Sequence, residues 1–197
     1  MMTPEIRAFE FALGLFTVLI GLAIADVATS FHRLMRARTR LRWDPLVLLT
    51  ALFALVITVG MWFDLWGVRE ATSVRAFFVY LALVGSFFTL FLIAAASLPD
   101  EVPAGMDLRT FYAANHRYFW ILVTLFELSY VLFGTHFLGG VWARLPRGVI
   151  VTILAQWLAM IGIPMTLAIV RSRAVHYIGI ALLFAILAWH YGSQSIL

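Results

Sequence analysis

From Phe119 to Leu138 the chain reads FWILVTLFELSYVLFGTHFL, an apolar run long enough to cross a bilayer with one carboxylate, Glu127, near its middle. An ionised group at that depth costs at least about 2.5 kcal/mol on insertion scales, so the chain must shelter it or use it. Trp120, Thr124, Glu127, Tyr130 and Gly134 recur at helical spacing. Their polar atoms therefore form a stripe on one helix face that can turn away from lipid. The remaining chain is expected to be the bundle that covers this stripe.

The chain has 197 residues, 63% of them hydrophobic and 12% charged, with a mean hydropathy of +0.98. Such a composition lies outside soluble globular domains and predicts an integral membrane protein. The longest segment between apolar runs is Leu98 to Arg117, which leaves no room for a soluble catalytic or DNA-reading domain. The net charge of +4 comes from Arg, since Lys is absent. Arginines at helix ends point to anionic headgroups before nucleic acid. Without Cys there are no disulfides, thiolate metal sites or Cys nucleophiles, and without Lys there is no retinal Schiff base.

Thr3-Pro4-Glu5 reads as a helix start, and a first span follows over Ala8–Ala28. A signal peptide ending near Ala25 is disfavoured, because Glu5 and Glu10 stand beside Arg7 and arginines follow directly. Gly14, Thr17, Gly21 and Ala25, continuing to Ala28, make a stripe of small residues on this helix where another helix can approach closely. Glu10 sits at the outer end of the same stripe and is a candidate for a pore mouth if the stripe packs on a copy of itself. Asp26, on the other face, is expected to pair with Arg33 or another inner arginine. Next, Arg36, Arg38, Arg40 and Arg42 recur every second residue; a voltage sensor needs every third inside an apolar helix, so this is a lipid-binding cytoplasmic loop.

Asp44-Pro45 caps a second span, Leu46–Trp66, which ends in an aromatic belt of Trp62 and Trp66. The third is Ala76–Ser97. Asp107 caps a helix that begins amphipathically at Leu108 and continues into the Glu127 span, Phe119–Leu138. A fifth, Gly148–Val170, holds Gln156 and a break at Gly162-Ile163-Pro164, and the sixth, Tyr177–Tyr191, is short for a crossing. The expectation is an all-α polytopic bundle of six transmembrane helices in one domain, residues 1–197. Placing the first loop inside puts nine of the 14 arginines there, which favours both termini outside.

Phe9-Glu10-Phe11 with Ile20-Gly21-Leu22, the Arg-rich first loop, Met61 to Trp66, Leu98-Pro99-Asp100, Asp107-Leu108-Arg109 and Tyr118-Phe119 together resemble an uncharacterised group of small bacterial multi-pass inner-membrane proteins. The resemblance covers about two thirds of the chain and implies a location in the bacterial inner membrane without implying an activity. At Phe63-Asp64 the group more often has consecutive tryptophans.

Glu127 is the leading candidate for chemistry, since proton and cation pathways use a carboxyl that exchanges its proton or ion with water. Its alternative role is to join helices through hydrogen bonds to Tyr130, Thr124 or Gln156. Pro164 frees the carbonyl of Met160, and a freed carbonyl near an acid can line a cation site; otherwise it is a packed kink. His136 and His190 are the one pair placed to ligate a haem from two helices, although all five histidines lie at helix ends. No Gly-x-Ser-x-Gly, phosphate loop or His-Glu-x-x-His pattern supports an enzyme, and no cofactor is expected.

The sequence thus points to a small channel or transporter, for protons or cations, with Glu127, Tyr130, Thr124, Gln156, Pro164 and Glu10 as path candidates. A non-catalytic subunit or scaffold of a larger membrane complex competes with it, and a bis-His haem carrier is third. The expected partners are a bilayer with anionic lipids and either a second copy of the chain or a membrane complex; none is nucleic acid.

Overall fold

A computed structural model describes residues 4–67, 77–138 and 144–192, with the side chains of 4–12, 65–67, 77–79 and 136–138 outside that description. Six helices follow one another: α1 (Pro4–Arg36), α2 (Pro45–Gly67), α3 (Phe77–Ser97), α4 (Leu108–Leu138), α5 (Arg147–Ile169) and α6 (Arg173–Gly192). Each contains a stretch long and apolar enough to cross a membrane, which makes the chain a multi-pass membrane protein. Among the described residues there is no strand, only one isolated backbone bridge. A helix is what such apolar sequence must form, because it satisfies its backbone polar groups internally where no water is available.

The helices do not share the interior equally. In α2, 56% of the spanning window is buried, against 11% in α5, so α2 is the central helix and α5 lies at the periphery. α2 touches α1, α3, α4 and α6, while α4 is flanked by α3 and α5, and α1 lies on α3. On α1 the buried stripe is Phe16, Ile20, Ala23, Val27, Ser30 and Leu34, alternating steps of four and three as one helix face requires. Phe16 stacks on Phe87 of α3 with ring centroids 4.5 Å apart. At the centre, Phe53 of α2 meets Trp120 of α4 and, edge on, Phe184 of α6. Such aromatic pairs each add about 1 kcal/mol beyond the area they bury.

Both expected caps form. The Asp44 carboxylate accepts from the Leu46 amide at 2.9 Å and that of Asp107 from the Arg109 amide at 2.8 Å. Asp44 is buried, and its second task compensates its charge: Arg173, at the start of α6, reaches it at 2.7 Å. The arginine-rich end is further closed by backbone pairing. The Arg42 amide donates to the Met106 carbonyl, the Leu108 amide to that of Arg42 and the Gly105 amide to that of Arg40, each at 3.0 Å. Gly105 turns the chain there at φ +80°, where a side chain would be strained.

Several expectations need correction. The first helix runs past Ala28 to Arg36, so Arg36 is helical, and Arg38–Arg40 form a short 3-10 turn within the expected loop. Asp26 makes no direct hydrogen bond to Arg33, although the Arg33 charge acts on it at longer range: the guanidinium donates to the Asp100 carbonyl at 2.8 Å, and Asp26 Oδ2 is buried without a hydrogen-bond partner. The fifth helix is not broken at Gly162-Ile163-Pro164 but continues to Ile169. Pro164 withholds an amide from the Met160 carbonyl, yet the Thr166 hydroxyl bonds the Gly162 carbonyl at 2.8 Å, and packing carries the helix through. The sixth helix, at 20 residues, is long enough to cross, since it starts at Arg173.

Candidate functional site

In the half of the bundle away from the arginine-rich end, five helices enclose a cavity of about 510 Å³. α2 supplies Asp64, α4 supplies Glu127 and Tyr130, α5 supplies Gln156 and Trp157, and α6 supplies His190 and Tyr191, with Ser86 of α3 in the wall. The Ser86 hydroxyl donates to that of Ser129 at 3.0 Å, which ties α3 to α4 beside the cavity. Elsewhere the lining is apolar and aromatic.

Asp64 is the hub of the polar groups. Its Oδ2 accepts from the hydroxyl of Tyr130 at 3.1 Å and from that of Tyr191 at 3.0 Å, so one oxygen gathers α4 and α6 onto α2. The Gln156 amide donates to His190 Nδ1 at 3.2 Å. With Nδ1 accepting, the ring proton sits on Nε2, which faces Asp64 Oδ1 at 3.7 Å. The chain Gln156, His190, Asp64, with its two tyrosines, thus spans four helices.

This geometry depends on Gly60. A Cβ at that position would collide with the Tyr191 ring, so only glycine on α2 lets α6 bring its phenol over Asp64.

Glu127 stands apart from this network. It is 5% exposed and lines the cavity, but each hydrogen-bond partner expected for it is engaged elsewhere. Tyr130 serves Asp64, Gln156 serves His190, and the Thr124 hydroxyl donates to the Trp120 carbonyl of its own helix at 2.8 Å. Among the described residues no group hydrogen-bonds the Glu127 carboxyl, so the hydrogen bonds expected of it to Tyr130, Thr124 or Gln156 are not made. A buried carboxyl without a partner is costly, and the open volume in front of it is where compensation must come from.

Of the other candidates, Gln156 lies where the path reading needs it, whereas Thr124 and Pro164 are outside the cavity lining. Pro164 is eight residues along α5 from Gln156, about 12 Å further toward the arginine-rich end, and is buried in packing. The side chains of Glu10 and His136 lie outside the described residues. His190 of the haem pair has Gln156 on Nδ1 and Asp64 opposite Nε2. Gly14, Thr17, Gly21 and Ala25 are exposed, and a Cβ at Gly14 or Gly21 would meet nothing within 4 Å, so none of the described helices occupies the stripe. Arg36, Arg38, Arg40 and Arg42 are exposed at the arginine-rich end.

Sequence reasoning missed Asp64 and Tyr191. The signal was present, because the rule that singled out Glu127, an acid inside an apolar helix, applies equally to Asp64 in Met61-Trp62-Phe63-Asp64. It was masked by the neighbouring tryptophans, which read as an interfacial belt.

A second polar cluster lies deeper, toward the arginine-rich end. His176 Nε2 donates to the Val170 carbonyl at 2.8 Å, so Nδ1 accepts from the Tyr112 hydroxyl, which in turn accepts from the Trp120 indole at 3.2 Å. Every hydrogen-bonding group in this set is used, which marks it as structural. Among the described residues no three His, Asp or Glu side chains converge to hold a metal ion.

Comparisons with protein families, with curated proteins and with solved structures find no match to this chain.

Proposed function

We propose that this chain is a small channel or transporter of the bacterial inner membrane, for protons or cations, in which the cavity on α2, α4, α5 and α6 is the binding station and Glu127 its acceptor. The observation that carries the reading is the Glu127 carboxyl itself: buried, without a hydrogen-bond partner, and facing about 510 Å³ of open volume. An acid kept in that condition is costly to the fold, and a passing cation or proton is what offsets the cost. Asp64 adds negative potential on the same cavity while its own oxygens stay engaged. Gln156 supports the site through His190; Thr124 and Pro164 have no part in it.

The test is flux in liposomes. Protein reconstituted with a proton-sensitive dye inside, and separately with K+ or Na+ gradients, is expected to conduct in the wild type, and Glu127→Gln is expected to lower flux at least tenfold while remaining folded. Equal flux in the two proteins removes Glu127 from the path.

A second reading is favoured by the exposed stripe on α1, which none of the described helices covers. The stripe seats a second copy or a partner subunit, because small residues let two backbones approach closely in lipid. Gly14→Leu with Gly21→Leu is expected to shift the protein to the monomer in mild detergent; an unchanged elution volume eliminates this contact.

A further inference from the structure

We infer that the ligand of the cavity is an organic cation, an alkyl- or arylammonium carrying one positive charge, with Glu127 as its counter-ion and the Trp157 indole as the wall on which its apolar part lies. This deepens the transport reading and rests on it for the cavity being a cation site.

Three features favour an organic cation over simpler occupants. The walls are helical throughout, so the backbone carbonyls that would replace the water shell of a bare K+ or Na+ are committed to helix hydrogen bonds. Ca2+ takes six to eight oxygens and Zn2+ three or four convergent protein ligands, and among the described residues no three acidic or histidine side chains converge closely enough to hold a metal ion. A proton needs no volume at all, whereas about 510 Å³ falls within the size of small-molecule sites.

What the cavity offers instead is one unengaged anion among aromatic and aliphatic surfaces. The oxygens of Asp64 are already engaged by Tyr130, Tyr191 and the facing His190, so the carboxyl left open to contact a ligand is that of Glu127. Phe126, Phe133 and Trp157 line the same space. Trp157 is seated closely against Gly134 of α4, where an added Cβ would clash with its ring, so the indole is fixed in the wall. A cation over an aromatic face gains most when the face is tryptophan and water is absent. An ammonium needs only one carboxylate and tolerates an apolar surround, which is the combination present.

The experiment uses the full chain in nanodiscs and 2-phenylethylammonium as the probe, with binding read by isothermal titration calorimetry. The expected result is saturable binding to one site per chain, at least tenfold weaker in Glu127→Gln and roughly fivefold weaker in Trp157→Leu. Each variant is first checked for retained helical circular dichroism and a monodisperse profile. The uncharged 2-phenylethanol is expected not to compete. Competition by 2-phenylethanol at equal concentration, or binding unchanged in Glu127→Gln, overturns the inference. Failure here and failure of the transport reading are separable. Glu127-dependent flux of K+ or protons without phenylethylammonium binding overturns the organic cation alone. Glu127-dependent binding without flux of phenylethylammonium in liposomes supports the ligand class and overturns transport.

Discussion

Asp44 and Glu127 are both carboxylates almost without solvent exposure, yet the chain treats them oppositely, and the contrast separates an acid committed to the fold from one left open to the cavity. Asp44 is fully committed. One oxygen caps α2 through the Leu46 amide, and Arg173 binds both oxygens. Removing it exposes two separate contributions. Asp44→Ala is expected to cost about 2 kcal/mol, combining the lost cap with an arginine left beside an empty site; the figure stays modest because the Arg173 side chain is 33% exposed and rehydrates. Asp44→Asn keeps the cap and loses only the ion pair, so about half of that loss is expected to remain. Thermal unfolding in detergent compares the two; equal losses would show that the cap contributes nothing. Glu127 has no such partners, so Glu127→Gln is expected to leave stability unchanged or raised while lowering flux at least tenfold. That inverse relation between stability and activity is the mark of a site that function maintains.

Single elements are where the sequence was most and least legible. Helix existence, both aspartate caps and the continuous α4 followed from local rules, because apolar length and capping chemistry are properties of one segment. What failed required knowledge of neighbours. The Gly162-Ile163-Pro164 triplet reads as a break in isolation, and only the packing around Pro164 makes the helix continuous. Asp26 and Arg33 sit two turns apart on one helix and read as a pair, but Asp100, brought in by the end of α3, offers the arginine its carbonyl. The cavity depends most on such contacts between helices, and Gly60 states its requirement most sharply. Gly60→Ala is expected to push Tyr191 off α2, separate its hydroxyl from Asp64 and destabilise the bundle by about 1 to 3 kcal/mol, the usual penalty of overpacking. Tyr191→Leu alone is expected to cost about 1 kcal/mol for the lost hydrogen bond. Because both changes act on one contact, the double variant should be more stable than the sum of the two predicts. Strict additivity in thermal unfolding would mean that Gly60 and Tyr191 do not oppose each other.

At the scale of the molecule, the two ends of the bundle differ in charge and in openness. The end with the α1–α2 and α3–α4 connections is closed by backbone pairing between Arg42 and Met106 and by the Arg173–Asp44 pair, and nine of the 14 arginines gather there. The cavity lies in the other half, among residues near the end of α2 and the end of α6. Arginine distribution decides which end faces the cytoplasm, since short loops rich in arginine are retained on that side. The cavity half is therefore expected to face outward, and a cation would enter from outside and be held short of the arginine-rich closure, whose positive charge opposes its exit on that side. The absence of Cys makes the orientation directly measurable. Arg38 and Arg147 are exposed and lie at opposite ends, so Arg38→Cys and Arg147→Cys each supply one thiol to a membrane-impermeant maleimide. In intact spheroplasts Arg147→Cys is expected to label and Arg38→Cys to label only after lysis. The reverse pattern would turn the cavity toward the cytoplasm and convert the proposed uptake station into one loaded from inside, with the same residues and the opposite direction of travel.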